Sequence, residues 1–178
     1  MSWPRALPWI ALLLLAGVVL GDVRTPRWLG GSGGAAALRP GGVASARLER
    51  VIDGDTIVAR VGGRDERVRY IGIDTPETVK PNTPVQCWGP QAHLLNARLL
   101  GPAGTPLALR FDRELRDRYG RLLAYVFRAG DGLFVNARLL AAGAARTLTI
   151  APNTGDAGQL AGLQRAAQAA GRGLWSAC

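Results

Sequence analysis

The chain has 178 residues, with 22 Lys and Arg against 13 Asp and Glu, and a formal net charge of +9. This length suits one domain with a complete core, and the positive charge favours a polyanionic partner, although a coding bias towards arginine would give the same balance. One His and two distant Cys make no zinc pattern. Lys80 is the only lysine, and arginine suits phosphate through its planar, bidentate side chain.

Residues 1–21 contain one charged side chain, Arg5, and the apolar run 9–20. This run is shorter than the roughly 20 residues of a membrane-spanning helix and has the length of the apolar part of a secretory signal. We therefore expect a secreted or extracytoplasmic protein. Residues 1–21 are either a signal peptide cleaved before Asp22 or an uncleaved signal anchor that tethers the protein to a membrane.

Residues 22–44 contain six glycines and no sustained hydrophobic period, which is typical of a flexible linker. The remainder, residues 45–178, is predicted to be one folded domain, and we expect a monomer. Alternating apolar residues predict an antiparallel meander of three strands, with short turns at Asp53-Gly54 and Gly62-Gly63. These three strands are predicted over residues 45–52, 56–61 and 67–73.

The second half of the domain mixes helices with two further strands. Apolar residues at helical spacing predict a first helix that Gly101-Pro102 ends. Five short strands with a helix inserted after the third are typical of an OB-type barrel, so the predicted fold class is α+β, with three helices. The predicted elements are a helix over residues 89–100, strands over 106–112 and 121–128, and helices over 134–142 and 154–170.

Three carboxylates stand where the predicted strands end or begin. Asp55 follows the first turn, and Asp74 and Glu77 follow the third strand. A hard divalent cation prefers oxygen ligands, so Asp55 and Asp74 are candidate ligands of Ca²⁺ or Mg²⁺, with one carboxylate left to handle water. Asp53 is interpreted as a turn residue. Taken alone, Asp74 and Glu77 would be a solvated acidic turn.

Two arginines indicate a catalytic function for these carboxylates. Arg69 lies in the third predicted strand and Arg121 begins a later one. Either alone would be interpreted as a solvent-exposed strand residue. Together they could offset the charge that develops on a phosphodiester under attack by water. Three carboxylates and two arginines therefore predict phosphodiester hydrolysis.

Three sequence blocks, residues 52–56, 68–77 and 117–125, resemble the signature blocks of the staphylococcal nuclease (thermonuclease) family, in order and at similar spacing. The resemblance covers residues 45–175. It implies a Ca²⁺-dependent nuclease that hydrolyses DNA and RNA to 3′-phosphorylated products. The implied roles are Ca²⁺ binding by the Asp55 and Asp74 side chains and the Thr75 carbonyl, phosphate binding by Arg69 and Arg121, and activation or positioning of water by Glu77.

One departure from the family concerns the wall that contacts the nucleotide base. The family places two tyrosines where this chain has Leu148 and Ile150. Stacking on an aromatic ring contributes about 1–3 kcal/mol per base, so the departure bears on affinity and base preference. Two alternatives to a nuclease stay open: a non-catalytic OB-fold module that binds nucleic acid, and an envelope-anchored domain in which calcium is purely structural.

Cys87 and Cys178 are the two cysteines of the chain. Export to an oxidising compartment would permit a disulfide between them, which would attach the C-terminus to the domain. Two free thiols are the alternative. We predict the disulfide, because a cysteine as the final residue is hard to explain by core packing.

Overall fold

The computed structural model describes residues 38–78 and 84–178. Within these ranges no helix combines the length and the apolar character needed to cross a membrane. The predicted signal segment and residues 22–37 of the predicted linker lie outside the described residues. The elements are, in chain order, β1 (Val43–Asp53), β2 (Thr56–Val61), β3 (Arg64–Tyr70), β4 (Gly72–Asp74), α1 (Gly89–Leu100), β5 (Pro106–Arg110), β6 (Leu122–Arg128), α2 (Val135–Ala141), β7 (Arg146–Leu148), α3 (Ala157–Ala169) and α4 (Leu174–Ala177).

Five strands close a barrel in the order β1-β2-β3-β6-β5. The first three form the predicted antiparallel meander, and β3 then pairs in parallel with β6. β1 is long enough to pair with β2 on one side and β5 on the other, and two register shifts in its pairing with β2 allow it to bend around the barrel. The prediction of an α+β fold with a five-stranded barrel is confirmed.

Each barrel strand sends alternate side chains into one shared core. Leu48, Ile57, Val68, Leu109 and Leu122, one from each strand, are all 2 % exposed or less. Because successive residues point to opposite faces, the neighbours of these apolar residues lie on the outer face of the barrel. Arg69 of β3 and Arg121, which immediately precedes β6, are therefore carried on this outer surface.

Two buried asparagines fasten helices to the barrel. Asn96 of α1 donates from Nδ2 to the Asp53 carbonyl (3.0 Å) and accepts at Oδ1 from the Tyr70 hydroxyl (3.0 Å). Asn136 of α2 accepts from the Val126 N–H (3.0 Å) and donates to the Ile71 carbonyl (2.9 Å). Both side chains are fully buried, so these hydrogen bonds satisfy polar groups that water cannot reach. The Asn96 bond also fixes the end of β1, beside the carboxylate of Asp55.

The third predicted strand is broken in the structure. It begins earlier than predicted, at Arg64, and ends at Tyr70; a separate short strand, β4, then pairs with β7 in a two-stranded sheet. Gly72 has a φ of +80°, and a Cβ added there would lie 2.4 Å from Leu160 Cδ1. A bend of this kind, packed against α3, requires glycine. The sequence predicted neither β7 nor α4.

Order also begins before the predicted start of the domain. β1 starts at Val43, and Leu38 already packs against the core. At the other end, Cys178 forms a disulfide with Cys87, whose Cα atom is 6.0 Å away. The predicted disulfide is therefore confirmed, and the C-terminus is attached to the segment that precedes α1.

Candidate active site

A groove of about 550 Å³ crosses the outer face of the barrel. It lies where the β1–β2 turn, the end of β3 and the start of β6 come together, and it includes the segment after β4. Every residue predicted for the site lines this groove: Asp55, Arg69, Asp74, Thr75, Glu77 and Arg121.

Strand register explains why residues so far apart in sequence meet. Arg69 lies opposite Thr56, which places it beside Asp55 at the β1–β2 turn. In the parallel pair, Val68 is level with Leu122, and both point into the core. Their neighbours Arg69 and Arg121 are therefore on the outer face, at the same end of the pair.

Asp55 is nearly buried, at 6 % exposure, and is held by two threonines. Its Oδ2 accepts hydrogen bonds from the N–H (2.8 Å) and hydroxyl (3.1 Å) of Thr75, and its Oδ1 accepts from the Thr56 hydroxyl (3.0 Å). Thr75 packs so closely on the turn that a Cβ added to Gly54 would lie 2.6 Å from its Oγ1. Gly54 thus allows the two predicted metal-binding segments to touch.

Arg69 lies between the two predicted metal ligands. Its Nη2 donates to Asp74 Oδ1 at 2.6 Å, and its Nη1 is 2.5 Å from Asp55 Oδ2. The second contact is an ion pair without the alignment of a hydrogen bond, and Nη1 is buried with no hydrogen-bond partner. Burial raises the pKa of Asp74; Arg69 opposes this shift, while Asp55 and Glu77 add to it.

The donor set suits a hard divalent cation. Asp55 and Asp74 both direct an oxygen at one positive group, the Arg69 guanidinium, so two negative charges already converge on one place. All the candidate ligand atoms are oxygens, which Ca²⁺ and Mg²⁺ prefer. In the described part of the chain, no cluster of three or more His, Cys, Asp or Glu side chains is arranged to hold a metal ion. Backbone oxygen and water would have to complete the coordination of a cation.

Glu77 is anchored through its backbone. Its N–H donates to Gln86 Oε1 (3.0 Å), and its carbonyl accepts from the Gln86 N–H (2.9 Å). Its Oε1 accepts from the N–H of Thr78 (3.1 Å). Gln86 immediately precedes the disulfide-bonded Cys87, so the covalent link to the C-terminus begins next to the residue that holds Glu77.

Asp53 does more than close a turn. Its Oδ1 accepts from the Gly54 N–H (2.8 Å), as a turn aspartate does, but also from the hydroxyl of Thr78 (2.7 Å). Burial raises the pKa of Asp53, and a hydrogen bond with the Glu77 side chain raises it further. The interpretation as a turn residue therefore covers only part of its role, since Asp53 also supports the segment that carries Glu77.

Arg121 is held by Asp117. Arg121 Nε donates to Asp117 Oδ2 (2.6 Å), and the Arg121 and Tyr119 N–H groups both donate to Asp117 Oδ1 (3.0 and 2.9 Å). Burial alone would raise the pKa of Asp117, but these hydrogen bonds hold it below its usual value. Tyr119 is 68 % exposed at the groove, with the guanidinium groups of Arg118 and Arg121 4.8 and 5.5 Å from its ring centroid.

A second cavity, of about 490 Å³, adjoins the groove and shares Arg69, Tyr119 and Arg121 with it. Its walls include Leu148 and Ile150, which are 39 % and 62 % exposed. The two positions predicted to face the nucleotide base therefore lie next to both candidate phosphate-binding arginines. Tyr119 is the aromatic side chain at the junction of the two cavities.

Residues 67–177 match the family described as staphylococcal nuclease homologue, which covers more than half of the chain. The chain belongs to this family. The resemblance carried by the three sequence blocks is thereby confirmed.

Relatives within the staphylococcal nuclease family include two thermonucleases. The chain is 51% identical to the thermonuclease of Staphylococcus intermedius over 112 residues, 60% of this chain and 61% of the relative. It is 42% identical to that of Staphylococcus hyicus over 130 residues, 73% of this chain and 75% of the relative. Endonuclease YncB of Bacillus subtilis is 47% identical over 109 residues, 60% of this chain and 50% of the relative. The predicted enzyme class, a nuclease, agrees with all three names.

Three residues of this family member were given no role from the sequence. Asp117 holds Arg121, Gln86 holds the backbone of Glu77, and Arg67 lines the groove beside Arg69. The spacing of four residues between Asp117 and Arg121 was a usable signal, because a turn at Gly120 brings such a pair together. The contacts of Gln86 and Arg67 depend on tertiary structure and had no local signal.

Proposed function

We propose that this member of the staphylococcal nuclease family is a calcium-dependent nuclease that hydrolyses phosphodiester bonds. The observation that carries the proposal is the convergence of Arg69, Arg121, Asp55, Asp74 and Glu77 on one groove. A solvated acidic turn would not need two partly buried arginines beside it. The names of the relatives support the same class of reaction.

Arg69 and Arg121 bind the phosphate. Their guanidinium groups share the outer face at one end of the β3–β6 pair, from which both can donate to the non-bridging oxygens of a phosphodiester. Negative charge grows on these oxygens as water attacks, so the stabilisation by both arginines is largest in the transition state. Asp117 keeps the Arg121 side chain in place for this role.

Glu77 is the group that handles water. Its backbone is held by Gln86, and its carboxylate lies at the groove, near Asp53 and Asp74. A carboxylate in this position can orient a water molecule towards the phosphorus atom and accept its proton as the bond to phosphorus forms. The electron pair of the broken P–O bond leaves with the departing sugar oxygen.

The cation would be held by the side chains of Asp55 and Asp74 with the carbonyl oxygen of Thr75. When bound, it supplies Lewis-acid polarisation of the phosphate and offsets its charge. The hydrogen bonds from Thr75 and Thr56 orient the Asp55 carboxylate beforehand, which lowers the cost of ordering it on binding. Oxygen-only coordination supports a hard divalent cation, and the resemblance to the thermonuclease family supports calcium as that cation.

The proposed substrates are DNA and RNA, cleaved to 3′-phosphorylated products, and the proposed location is outside the cytoplasm. The Cys87–Cys178 disulfide supports the location, because such bonds persist in oxidising compartments. The apolar run near the N-terminus supports export. The mass of the mature N-terminus would distinguish a cleaved signal peptide from a signal anchor.

The decisive experiment is digestion of single-stranded and duplex DNA, and of RNA, with calcium and then with a chelator. We expect cleavage only with calcium and 3′-phosphate ends on the products. Arg121→Ala should slow cleavage by about 10²–10³-fold, as the loss of one preorganised donor to a transition-state oxyanion does. Equal rates for Arg121→Ala and the parent would contradict the proposal.

The same assay distinguishes the alternatives. A protein that shifts the mobility of DNA but never cuts it is a binding module. A protein that binds calcium and neither cuts nor retards nucleic acid carries a structural calcium site. Arg165→Gln is the matched control, since Arg165 is exposed on α3 and lines none of the cavities described above.

A further inference from the structure

Beside the scissile-phosphate site, the groove contains an arginine that this site does not use. Arg67 lines the groove together with Arg69 and Arg121. It is exposed and lies two residues before Arg69 in β3, so both side chains are on the outer face. Extending the β3–β6 register by one residue from Val68 and Leu122 sets Arg67 level with Arg121.

In the described part of the chain, Arg67 has no carboxylate partner, unlike Arg69 two residues further along the same strand. Within residues 38–78 and 84–178 its side chain makes no ion pair and no hydrogen bond. The two acidic residues that precede it form ion pairs with other arginines: Asp65 pairs with Arg60, and Glu66 pairs with Arg116. Among the described residues, the other arginines that form ion pairs with carboxylates are Arg69, Arg110, Arg121 and Arg128.

A second arginine without an ion pair in the described part of the chain lies in the same row of laterally paired residues across β3, β2 and β1. Val58 of β2 pairs with Arg67 on one side and with Arg50 of β1 on the other. Arg50 is exposed and, in the described part of the chain, also has no ion pair. The row of Arg50, Val58 and Arg67 thus contains two positive charges and no acidic residue. Val58, which lies between the two arginines, is only 3 % exposed. Positive charge therefore continues from the groove across the outer face of the barrel.

We propose that Arg67, with Arg50 behind it, forms a second phosphate-binding subsite for the nucleic-acid strand on one side of the cleaved bond. Adjacent outward positions on a strand are about 7 Å apart, comparable with the distance between successive phosphates of an extended strand. The ligand is thus a phosphodiester next to the one held by Arg69 and Arg121. The inference rests on the proposed function, because it takes the neighbouring site to be the place of cleavage.

The subsite makes recognition depend on substrate length. A dinucleotide has one phosphodiester. This group binds to Arg69 and Arg121, so Arg67 has no ligand. A longer strand places a further phosphate on Arg67 and releases additional counterions. The contact is with the neighbouring phosphate, whose charge does not change in the reaction, so it contributes equally to the binding of substrate and transition state. Its loss should raise KM and leave kcat almost unchanged.

The test compares Arg67→Gln, Arg67→Lys and the control Arg165→Gln on a dinucleotide and on a ten-nucleotide single-stranded DNA. For Arg67→Gln we expect a several-fold higher KM on the long strand, little change in kcat, and a much smaller change on the dinucleotide. The slope of log affinity against log salt should fall by about one for the long strand. Arg67→Lys should restore part of the affinity, because it keeps the charge.

Three outcomes would overturn the proposal: an unchanged KM on the long strand, an equal rise of KM on both substrates, or the same length-dependent effect from Arg165→Gln. Failure of the proposed function has a different signature, because the parent protein would then cleave neither substrate. In that event, equilibrium binding of the ten-nucleotide strand decides the subsite. Equal affinity and salt slope for the parent and Arg67→Gln would refute it.

Discussion

Arg69 and Asp55 are in direct contact: Nη1 of the arginine lies 2.5 Å from Oδ2 of the aspartate. The residue predicted to hold phosphate thus touches a residue predicted to hold the cation, and it also binds Asp74. In the proposed function Asp55 and Asp74 also bind a divalent cation, so without nucleic acid the guanidinium and the cation would compete for the same two carboxylates. A bound phosphate gives Arg69 another partner, so substrate and cation should each promote binding of the other.

Arg69→Gln should therefore have two opposite effects. Calcium should bind more tightly in the absence of nucleic acid, because a competing positive charge is removed from Asp55 and Asp74. Hydrolysis should slow by about 10²–10³-fold, because a donor to the transition state is lost. Titration calorimetry measures the first effect and initial rates the second. Arg60→Gln, which removes an exposed ion pair with Glu49 and Asp65, is the control; weaker calcium binding by Arg69→Gln would refute the competition.

Asp117→Asn should impair Arg121 without removing it. The amide keeps the shape of the side chain but loses the charge that holds the Arg121 guanidinium, so we expect a drop in kcat of about 10- to 100-fold, smaller than for Arg121→Ala. The comparison variant is Asp131→Asn, which breaks a similar local ion pair, with Arg128. Initial rates on one DNA substrate are enough. The same loss in both variants would mean that Asp117 acts only through general stability.

Glu66→Gln should change how stability depends on pH. Arg116 donates to both oxygens of Glu66 (2.9 and 2.8 Å) and lowers the pKa of that carboxyl below its ordinary value of 4.5. A lowered folded-state pKa stabilises the protein above the unfolded-state value, and this contribution is lost as the pH falls. The variant should be less stable by about 1 kcal/mol at neutral pH. This gap should narrow below pH 4.5 in thermal unfolding.

The matched variant for Glu66 is Asp65→Asn. Asp65 pairs with Arg60 on the surface, where both side chains are about half exposed, so its replacement should cost less. A gap between parent and Glu66→Gln that stayed constant from pH 7 to pH 3 would show that Arg116 does not stabilise the charged form of Glu66.

The disulfide should contribute a large part of the stability. Cys87 and Cys178 are separated by 91 residues, and a cross-link over a long loop restricts the unfolded chain most. The double variant Cys87→Ser with Cys178→Ser should lose about 2–5 kcal/mol in urea unfolding. A reducing agent should weaken the parent by a similar amount and leave the double variant unchanged. An equal response of both to the reducing agent would contradict this prediction.

Much of the fold was predictable because local signals agreed with tertiary structure. The first helix has the predicted bounds, Gly89–Leu100, since Gly101-Pro102 ends it. The break at Gly72 was missed because glycine permits a positive φ but does not require it. β7 spans only Arg146–Leu148 and exists because β4 pairs with it, which no alternation over three residues could predict.

The candidate site also has features that the sequence predicted and features that it did not. Asp55, Arg69, Asp74 and Glu77 stand in segments whose turns and strand ends are visible in the sequence. Their charges and spacing therefore predicted a common site, and the structure brings these residues to one groove. Two contacts depend instead on distances across the barrel surface. They are the ion pair between Arg69 and Asp55 and the hydrogen bond between Gln86 and the backbone of Glu77. No residue pattern encodes such distances.

The disulfide also changes the topology of the molecule. It closes the chain from Cys87 to the last residue into a covalent ring, while Asp55, Arg69 and Glu77 stay on the linear arm before it. Arg121 lies within the ring, so the groove is assembled between arm and ring. A protease that cuts the exposed connection at residues 113–120 therefore opens the ring without releasing a fragment. After such a cut, both arginines still belong to a single covalent molecule.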